Sequence, residues 1–360
     1  MIIKKFKPIK VSSQQLDISK VEELTGVCWQ YASCGRDAMY HCLLSLEAEG
    51  PILVPSYVCR SILEPLKALK LDYVCYDSDL DNLNTNIEDF EKKIIKYDIK
   101  VAMVASMYGN PVDFTEIIAI CTRHNVLLID DAAQSFGATF HGRYVGTFGD
   151  AGFFSFSPGK PTSGHLGAYF WTKNKEYKIR RKQQFVLHML AFLDFYLNRC
   201  SDSFISSLGF FKPLSYLKII LFRIFNTTNG DVCKFEKPIL EKIMHANFEE
   251  KFRGEAIKAI ISDIVGTDGF RIVTHSPAGS KNHKFVLIVD NLNVATKLKQ
   301  FLREAGIYVG EGYSNLCKAR ECSNTAYASE RVIELPIEED ILKAKYIGNK
   351  IKLFINRHHL

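Results

Sequence analysis

The sequence predicts an α/β fold: a large domain built on a mainly parallel sheet covered on both faces, followed by a smaller C-terminal α/β domain. Two observations carry this. Short apolar runs alternate with amphipathic helical patterns between residues 36 and 131, and that alternation is the signature of parallel strands joined by crossover helices. The chain, at 360 residues with 47% apolar content, is also too long for one ordinary core and long enough for two.

The elements follow in order. Residues 36–48 (RDAMYHCLLSLEA) repeat apolar groups at three- and four-residue intervals, as a helix does. ILVPSY is a short strand ending near Pro55, SILEPLKALK a helix, and LDYVCYD the next strand. NIEDFEKKIIKY is an amphipathic helix opened by Asn86, a good N-cap. VAMVASMYG reads as a buried strand, DFTEIIAICTRHN as a helix and VLLIDD as a strand. In such sheets ligands bind beyond the carboxyl ends of the strands, where Asp131 and the Tyr108-Gly109 pair stand. In the C-terminal third, HKFVLIVD (283–290) is a strand, NVATKLKQFLREAGI a helix ending near Gly306, YVGEGYSN a loop, and EEDILKAKYIGNKIKLFINRH the last helix. The expected division is 1–235 for the large domain and 236–360 for the small one.

Composition narrows the function. The net charge of +6 comes from scattered basic residues, whereas nucleic-acid binding calls for a dense stripe. A weakly positive surface suits an anionic small substrate. Ten cysteines occur, none spaced CxxC, so neither zinc nor a disulfide framework is expected, and free thiols in a reducing compartment are. The basic N-terminus lacks an apolar core and cleavage site, which points to a cytoplasmic protein. Residues 185–225 are rich in large apolar groups, but Asp194, Arg199, Lys212, Lys218 and Arg223 interrupt them. A spanning helix is not expected on that ground; a buried core or subunit face, a peripheral membrane contact and a lid stay open.

The chemistry centres on Lys160. It ends FFSFSPGK, downstream of Asp131 in IDDAAQSFGA. A lysine and a carboxylate placed by successive strands are what a pyridoxal 5'-phosphate (PLP) enzyme needs: an amine to bond the cofactor's aldehyde, and an acid beside its ring nitrogen. A free lysine, with pKa of about 10.4, is a poor nucleophile at neutral pH, and the flanking Phe153, Phe154 and Phe156 supply the desolvation that activates it. Asp130 should point to the opposite side of its strand from Asp131. Gly35, at the start of a helix, offers backbone N–H groups to a phosphate. Arg36 either pairs with that phosphate or is an exposed helix arginine. A Walker loop is excluded, because the spacing would need glycine at Phe154 and a hydroxyl at Pro161.

The stretch LLIDDAAQSFGATFHGRYVGTFGDAGFFSFSPGKPTSGHLGAYFWT resembles the signature of the DegT/StrS-type (DegT/DnrJ) nucleotide-sugar aminotransferases. The shared pattern is Asp130-Asp131-Ala132-Ala133-Gln134, Gly149-Asp150, Phe154-Ser155-Phe156 and Lys160, with weaker likeness from about residue 20 to the end outside 185–235. The resemblance implies an aspartate-aminotransferase-like (PLP fold type I) three-layer αβα domain. It also implies a homodimer and transfer of an amino group, from glutamate, to a nucleotide-linked keto sugar in polysaccharide or glycoconjugate biosynthesis. Carried residue by residue, it implies that Asp131 meets the ring nitrogen, Gln134 a ring substituent and Ser155 the phosphate. Cys59 occupies the position of the aromatic that covers the ring, and Tyr57 lies two residues earlier; which of them covers it is left open. Tyr108 matches a Tyr-Gly-x-Pro-x-Asp turn, whose Asp113 is either part of the pattern or simply a helix cap.

This chain departs from the family at two places. Cys34-Gly35-Arg36-Asp37 stands where Ser-Gly-Thr-Ala is usual, and Leu166 sits in the loop after Lys160 where a glycine pair is common, with His165 beside it. Two rival readings follow: a PLP-dependent sugar dehydratase, whose branch replaces the lysine by histidine, and a catalytically idle relative with a structural or membrane-surface role.

Overall fold

A computed structural model describes residues 18–32, 34–157, 159–161, 167–178, 269–273, 278–317, 321–336 and 341–358. The apolar segment 185–235, the expected boundary near 235 and the loop residues His165 and Leu166 lie outside the described residues.

Chain order reads α1 (Ile18–Thr25), β1 (Gln30–Ala32), α2 (Gly35–Ser45), β2 (Ile52–Pro55), α3 (Leu63–Ala68), β3 (Tyr73–Tyr76), α4 (Ile87–Tyr97), β4 (Val101–Ala105), α5 (Phe114–His124) and β5 (Leu127–Asp131). A small hairpin, β6 (Thr139–Phe140) and β7 (Arg143–Tyr144), leads into β8 (Ala151–Ser155) and β9 (Ala168–Thr172). The C-terminal part contributes β10 (Phe270–Ile272), β11 (Lys284–Val289), α6 (Leu292–Glu304), α7 (Ser323–Arg331), β12 (Val332–Pro336) and α8 (Ile341–His358).

Seven strands form the main sheet in the order β1-β9-β8-β5-β4-β2-β3. Pairings from β3 through β8 are parallel, and β9 and β1 close one edge antiparallel. The four central strands β2, β4, β8 and β5 are buried almost throughout, as a parallel sheet covered on both faces requires. One buried cluster packs α2 against one face through Ala38, Met39, Cys42 and Leu43. A second, with Phe90, Ile94, Phe114, Ile117 and Ile120 from α4 and α5, covers the other.

The expected helices and parallel strands are present, with α4 capped by Asn86 and α5 by Asp113, whose carboxylate accepts from Thr115 and Glu116 N–H. Asp113 therefore acts as a cap here. Strands β1, β9, β10 and β12 had no clear signal of their own: β1 and β10 have three residues each, and β12 carries a glutamate amid apolar neighbours.

The smaller sheet, β10-β11-β12, is antiparallel and carries its own core with α6 and α8. Polar joints fix it to the larger one. The buried carboxylate of Asp77, just after β3, caps α7 by accepting from Asn324 and Thr325 N–H, each at 2.9 Å. Asn282 Nδ2 donates to the Tyr108 carbonyl and to Asn110 Oδ1, while Lys281 N–H donates to the Gly109 carbonyl. Gly109 has φ +86°, and a Cβ there would lie 1.9 Å from the Lys281 carbonyl oxygen. Glycine is required for this backbone-on-backbone approach.

One cysteine expectation needs correcting. Cys317 and Cys322 are joined in a disulfide, because the turn into α7 brings their Cα atoms to 6.2 Å. Cys28, Cys34, Cys42, Cys59, Cys75 and Cys121 are free thiols.

Candidate active site

A cavity of about 340 Å³ lies at the carboxyl ends of the central strands, between the two sheets. Lys160, Asp131, Gln134, Ser155, Gly35, Arg36 and Cys59 all line it. Tyr57 does not, which corrects the expectation that it covers a ring there. Its fully buried ring turns into the joint between the sheets, edge-on to Tyr313 at 5.7 Å, with its hydroxyl 2.8 Å from that of Tyr108. Cys59 instead presents its thiol, 3.0 Å from Ser61 Oγ.

Asp131 ends β5 and is buried. One carboxylate oxygen accepts from Ala133 N–H at 2.8 Å. Burial raises its pKa, opposed by the charge of Lys160 and by that backbone bond. Asp130 points the other way, as the strand pleat dictates: its Oδ2 accepts from Gly146 and Phe148 N–H at 2.6 and 3.0 Å. Burial pushes Asp130 up to about 8.

Lys160 follows β8, its N–H donating to the Ser157 carbonyl. Burial lowers its pKa and Lys284 adds to that, while Asp131, Cys59 and Glu334 oppose. The amine thus moves towards its neutral, nucleophilic form.

At the far end of the cavity, α2 begins at Gly35. An α-helix leaves its first N–H groups without intrahelical carbonyls and carries positive potential there. A Cβ at Gly35 would stand 3.0 Å from both Cβ and Oγ of Ser155, so the bare glycine lets the helix start approach the serine. Arg36 lines the cavity and its guanidinium also pairs with Glu64. Gln134 is held by Tyr108, whose N–H donates to its Oε1 at 3.4 Å. Tyr108 itself is fully buried with φ 55° and ψ 19°, a left-handed conformation of the kind that collects at functional sites.

The C-terminal part supplies the opposite wall with Lys284, Tyr308, Gly310, Glu311, Gly312, Tyr313 and Glu334. None of these had been singled out. The available signal was Glu334 itself, a carboxylate in β12 between Ile333 and Leu335, which are 0% and 1% exposed; a buried charge in an apolar strand needs a partner.

A lysine amine, a carboxylate, a hydroxyl and a helix N-terminus lining one cavity are a donor set that fits PLP: the amine for its aldehyde, the carboxylate for its ring nitrogen, and the hydroxyl with the backbone N–H groups for its phosphate.

The signature of the DegT/DnrJ/EryC1/StrS aminotransferase family matches residues 31–189. GDP-perosamine synthase of Escherichia coli O157:H7 is 32% identical over 151 residues, 41% of this chain and 41% of that one. UDP-N-acetyl-3-dehydro-alpha-D-glucosamine 3-aminotransferase of Acidithiobacillus ferrooxidans is 32% identical over 154 residues, 42% and 40% of the two chains. The chain thus spans about two fifths of the length of these curated relatives. Among solved structures, the aminotransferase TlmJ of Streptoalloteichus hindustanus superposes with TM-score 0.71 at 18% identity, over 95% of this chain and 90% of that one. The E. coli GDP-4-keto-6-deoxy-D-mannose-3-dehydratase with bound hydrated PLP gives TM-score 0.68 at 16% identity, over 92% and 90%. Residues 31–189 form a DegT/DnrJ/EryC1/StrS aminotransferase family domain, and the chain has the PLP fold-type I architecture.

Proposed function

We propose that this protein is a PLP-dependent aminotransferase that moves an amino group from an amino acid, glutamate, to a nucleotide-linked keto sugar. The observation that carries the reading is that Lys160, Asp131, Ser155 and the start of α2 at Gly35 all line one cavity. When bound, PLP supplies an electrophilic carbon and a ring that takes up the electrons released on deprotonation. In this reading Lys160, whose pKa burial and Lys284 lower, would hold the cofactor through its aldehyde and would be the proton-carrying base of the site. Asp131 holds a proton at the ring nitrogen. Ser155 Oγ and the N–H groups opening α2 would hold the phosphate, Gln134 would hold a ring substituent, and Cys59 would be the side chain offered to the ring. Arg36, which lines the same cavity while pairing with Glu64, adds positive charge beside the helix terminus.

The keto-sugar substrate is supported by the relatives named for GDP-perosamine and for a dehydro-glucosamine nucleotide. A lysine at position 160, rather than histidine, favours amino transfer over dehydration. The reading includes a homodimer acting in the cytoplasm, in the supply of amino sugars for polysaccharide assembly. Among the described residues no helix is long and apolar enough to cross a membrane.

The test is direct. Purified protein incubated with PLP should develop the absorbance of a lysine-bound cofactor, and borohydride should fix the cofactor on the peptide containing Lys160. Added L-glutamate should bleach that band, and a nucleotide-linked keto sugar should restore it. Cofactor trapped on another lysine would sink the assignment; a band that glutamate never changes would sink amino transfer.

A further inference from the structure

Glu334 stands out among the groups not yet given a role. It is 6% exposed, yet its side chain lines the same cavity as Lys160 and Asp131. Tyr108 Oη donates to its Oε1 at 2.8 Å and Lys284 Nζ to its Oε2 at 2.7 Å. Tyr108 is steadied in turn by the Tyr57 hydroxyl, which accepts from Tyr313 N–H at 3.3 Å. Backbone geometry guards the same place: Gly310 bridges Glu334 with antiparallel hydrogen bonds, and a Cβ on Gly310 would lie 2.4 Å from Glu334 Oε2.

We propose that Glu334, clamped by Tyr108 and Lys284, is a specificity-determining hydrogen-bond acceptor for a hydroxyl of the sugar substrate, opposite Lys160. The inference rests on the keto-sugar reading above. An ionised carboxylate offers about four acceptor positions, and the two named donors fill one on each oxygen. The clamp holds the oxygens still, so accepting a hydroxyl costs little reordering. Charge bears on the ligand class. Lys284 is matched by Glu334 in a 2.7 Å ion pair, so this part of the wall offers acceptor oxygens and not an unmatched cation, and it suits a hydroxyl donor better than a second carboxylate. Sites built to hydrogen-bond a hydroxyl reject analogues that lack it strongly, because the buried polar group is then left short of a partner.

The two half-reactions separate this role from a structural one. Full-length protein loaded with PLP is taken through bleaching by L-glutamate and recovery with GDP-4-keto-6-deoxy-D-mannose or UDP-N-acetyl-3-dehydro-D-glucosamine. Glu334→Gln keeps shape and loses charge. It should lower kcat/KM of the sugar step by roughly 10- to 100-fold, mostly through KM, and leave the glutamate step within about threefold. Glu334→Asp should fall between Gln and wild type. Titration of each sugar nucleotide into the protein should show weaker binding to Glu334→Gln in the same order. Equal loss in both half-reactions, or none in either, overturns the proposal while leaving amino transfer standing. A wild type that glutamate bleaches but neither sugar restores or binds overturns the sugar reading, and this proposal with it.

Discussion

The two walls of the cavity are built on different principles. The wall from the main sheet uses strand ends and a helix start: Asp131 closes β5, Ser155 closes β8, Lys160 follows three residues beyond the described Ser157, and Gly35 opens α2. Three of these residues lie within thirty positions of one another, and the directions of the strand and helix residues are set by the pleat and the helix axis. The wall from the small sheet uses a side-chain network, in which Tyr57, Tyr108, Lys284 and Glu334 hold one another across more than 200 residues of chain. The first wall suits an invariant job such as seating a cofactor. The second can be altered side chain by side chain without disturbing the sheet, and that makes it the natural place for substrate choice.

This contrast can be broken or sharpened by substitution. Lys160→Ala should lower amino transfer by at least roughly 10³-fold, since it removes both a nucleophile and a proton carrier. Single-turnover kinetics would measure it, and near-wild-type rates would end the proposed chemistry. Asp131→Asn should reduce the rate by on the order of 10²-fold with the fold intact by circular dichroism, as expected for loss of a charge aimed at the reacting system.

Gly310→Ala probes the second wall. Its Cβ would press on Glu334 Oε2 at 2.4 Å, so we expect about tenfold loss in the sugar half-reaction, little change with glutamate, and about 1–3 kcal/mol of destabilisation from crowding. A chemical denaturation curve gives the second number. Loss in the glutamate step alone would reverse the division of labour between the walls.

The smallest effect concerns stability and lies behind the first wall. Asp130 has its pKa raised from an ordinary carboxylate value of about 3.9 to about 8 by burial. A carboxyl whose folded pKa lies above its unfolded one contributes stability fully below the unfolded pKa, and that contribution is lost as pH rises through the folded pKa. Stability should therefore decline between roughly pH 4 and 8 on account of this residue, and Asp130→Asn should flatten that slope by about 1 kcal/mol or more. Melting temperatures across this range, wild type against variant, check it.

Much of the first wall was legible in the sequence because its information is local. The apolar run LLIDD has to be a buried strand, its pleat sends Asp130 and Asp131 to opposite sides, and a helix pattern beginning at Gly35 has to point its N–H groups at whatever lies there. The position of Tyr57 was not legible. Spacing left Tyr57 and Cys59 equally able to face the cavity, and the choice is made by Tyr108 and Tyr313, which draw the Tyr57 ring into the joint between the sheets. Arg36 was ambiguous for a similar reason, since Glu64 that engages it sits on the next helix. The Cys317–Cys322 pairing, too, depends on a turn that only the packing of α7 creates.

By itself, then, the chain determined the parallel α/β layout, the placement of Lys160 and Asp131 at strand ends, and the helix start that faces them. These follow from period, propensity and pleat, which act over a few residues. Tertiary structure alone decided that Lys284 and Glu334 complete the cavity, that Cys59 and not Tyr57 lines it, that glycine is obligatory at Gly109, and that the glycine at Gly310 leaves room for the Glu334 carboxylate. Each of those depends on atoms from distant parts of the chain coming within hydrogen-bond or van der Waals distance, and no local pattern encodes such an approach.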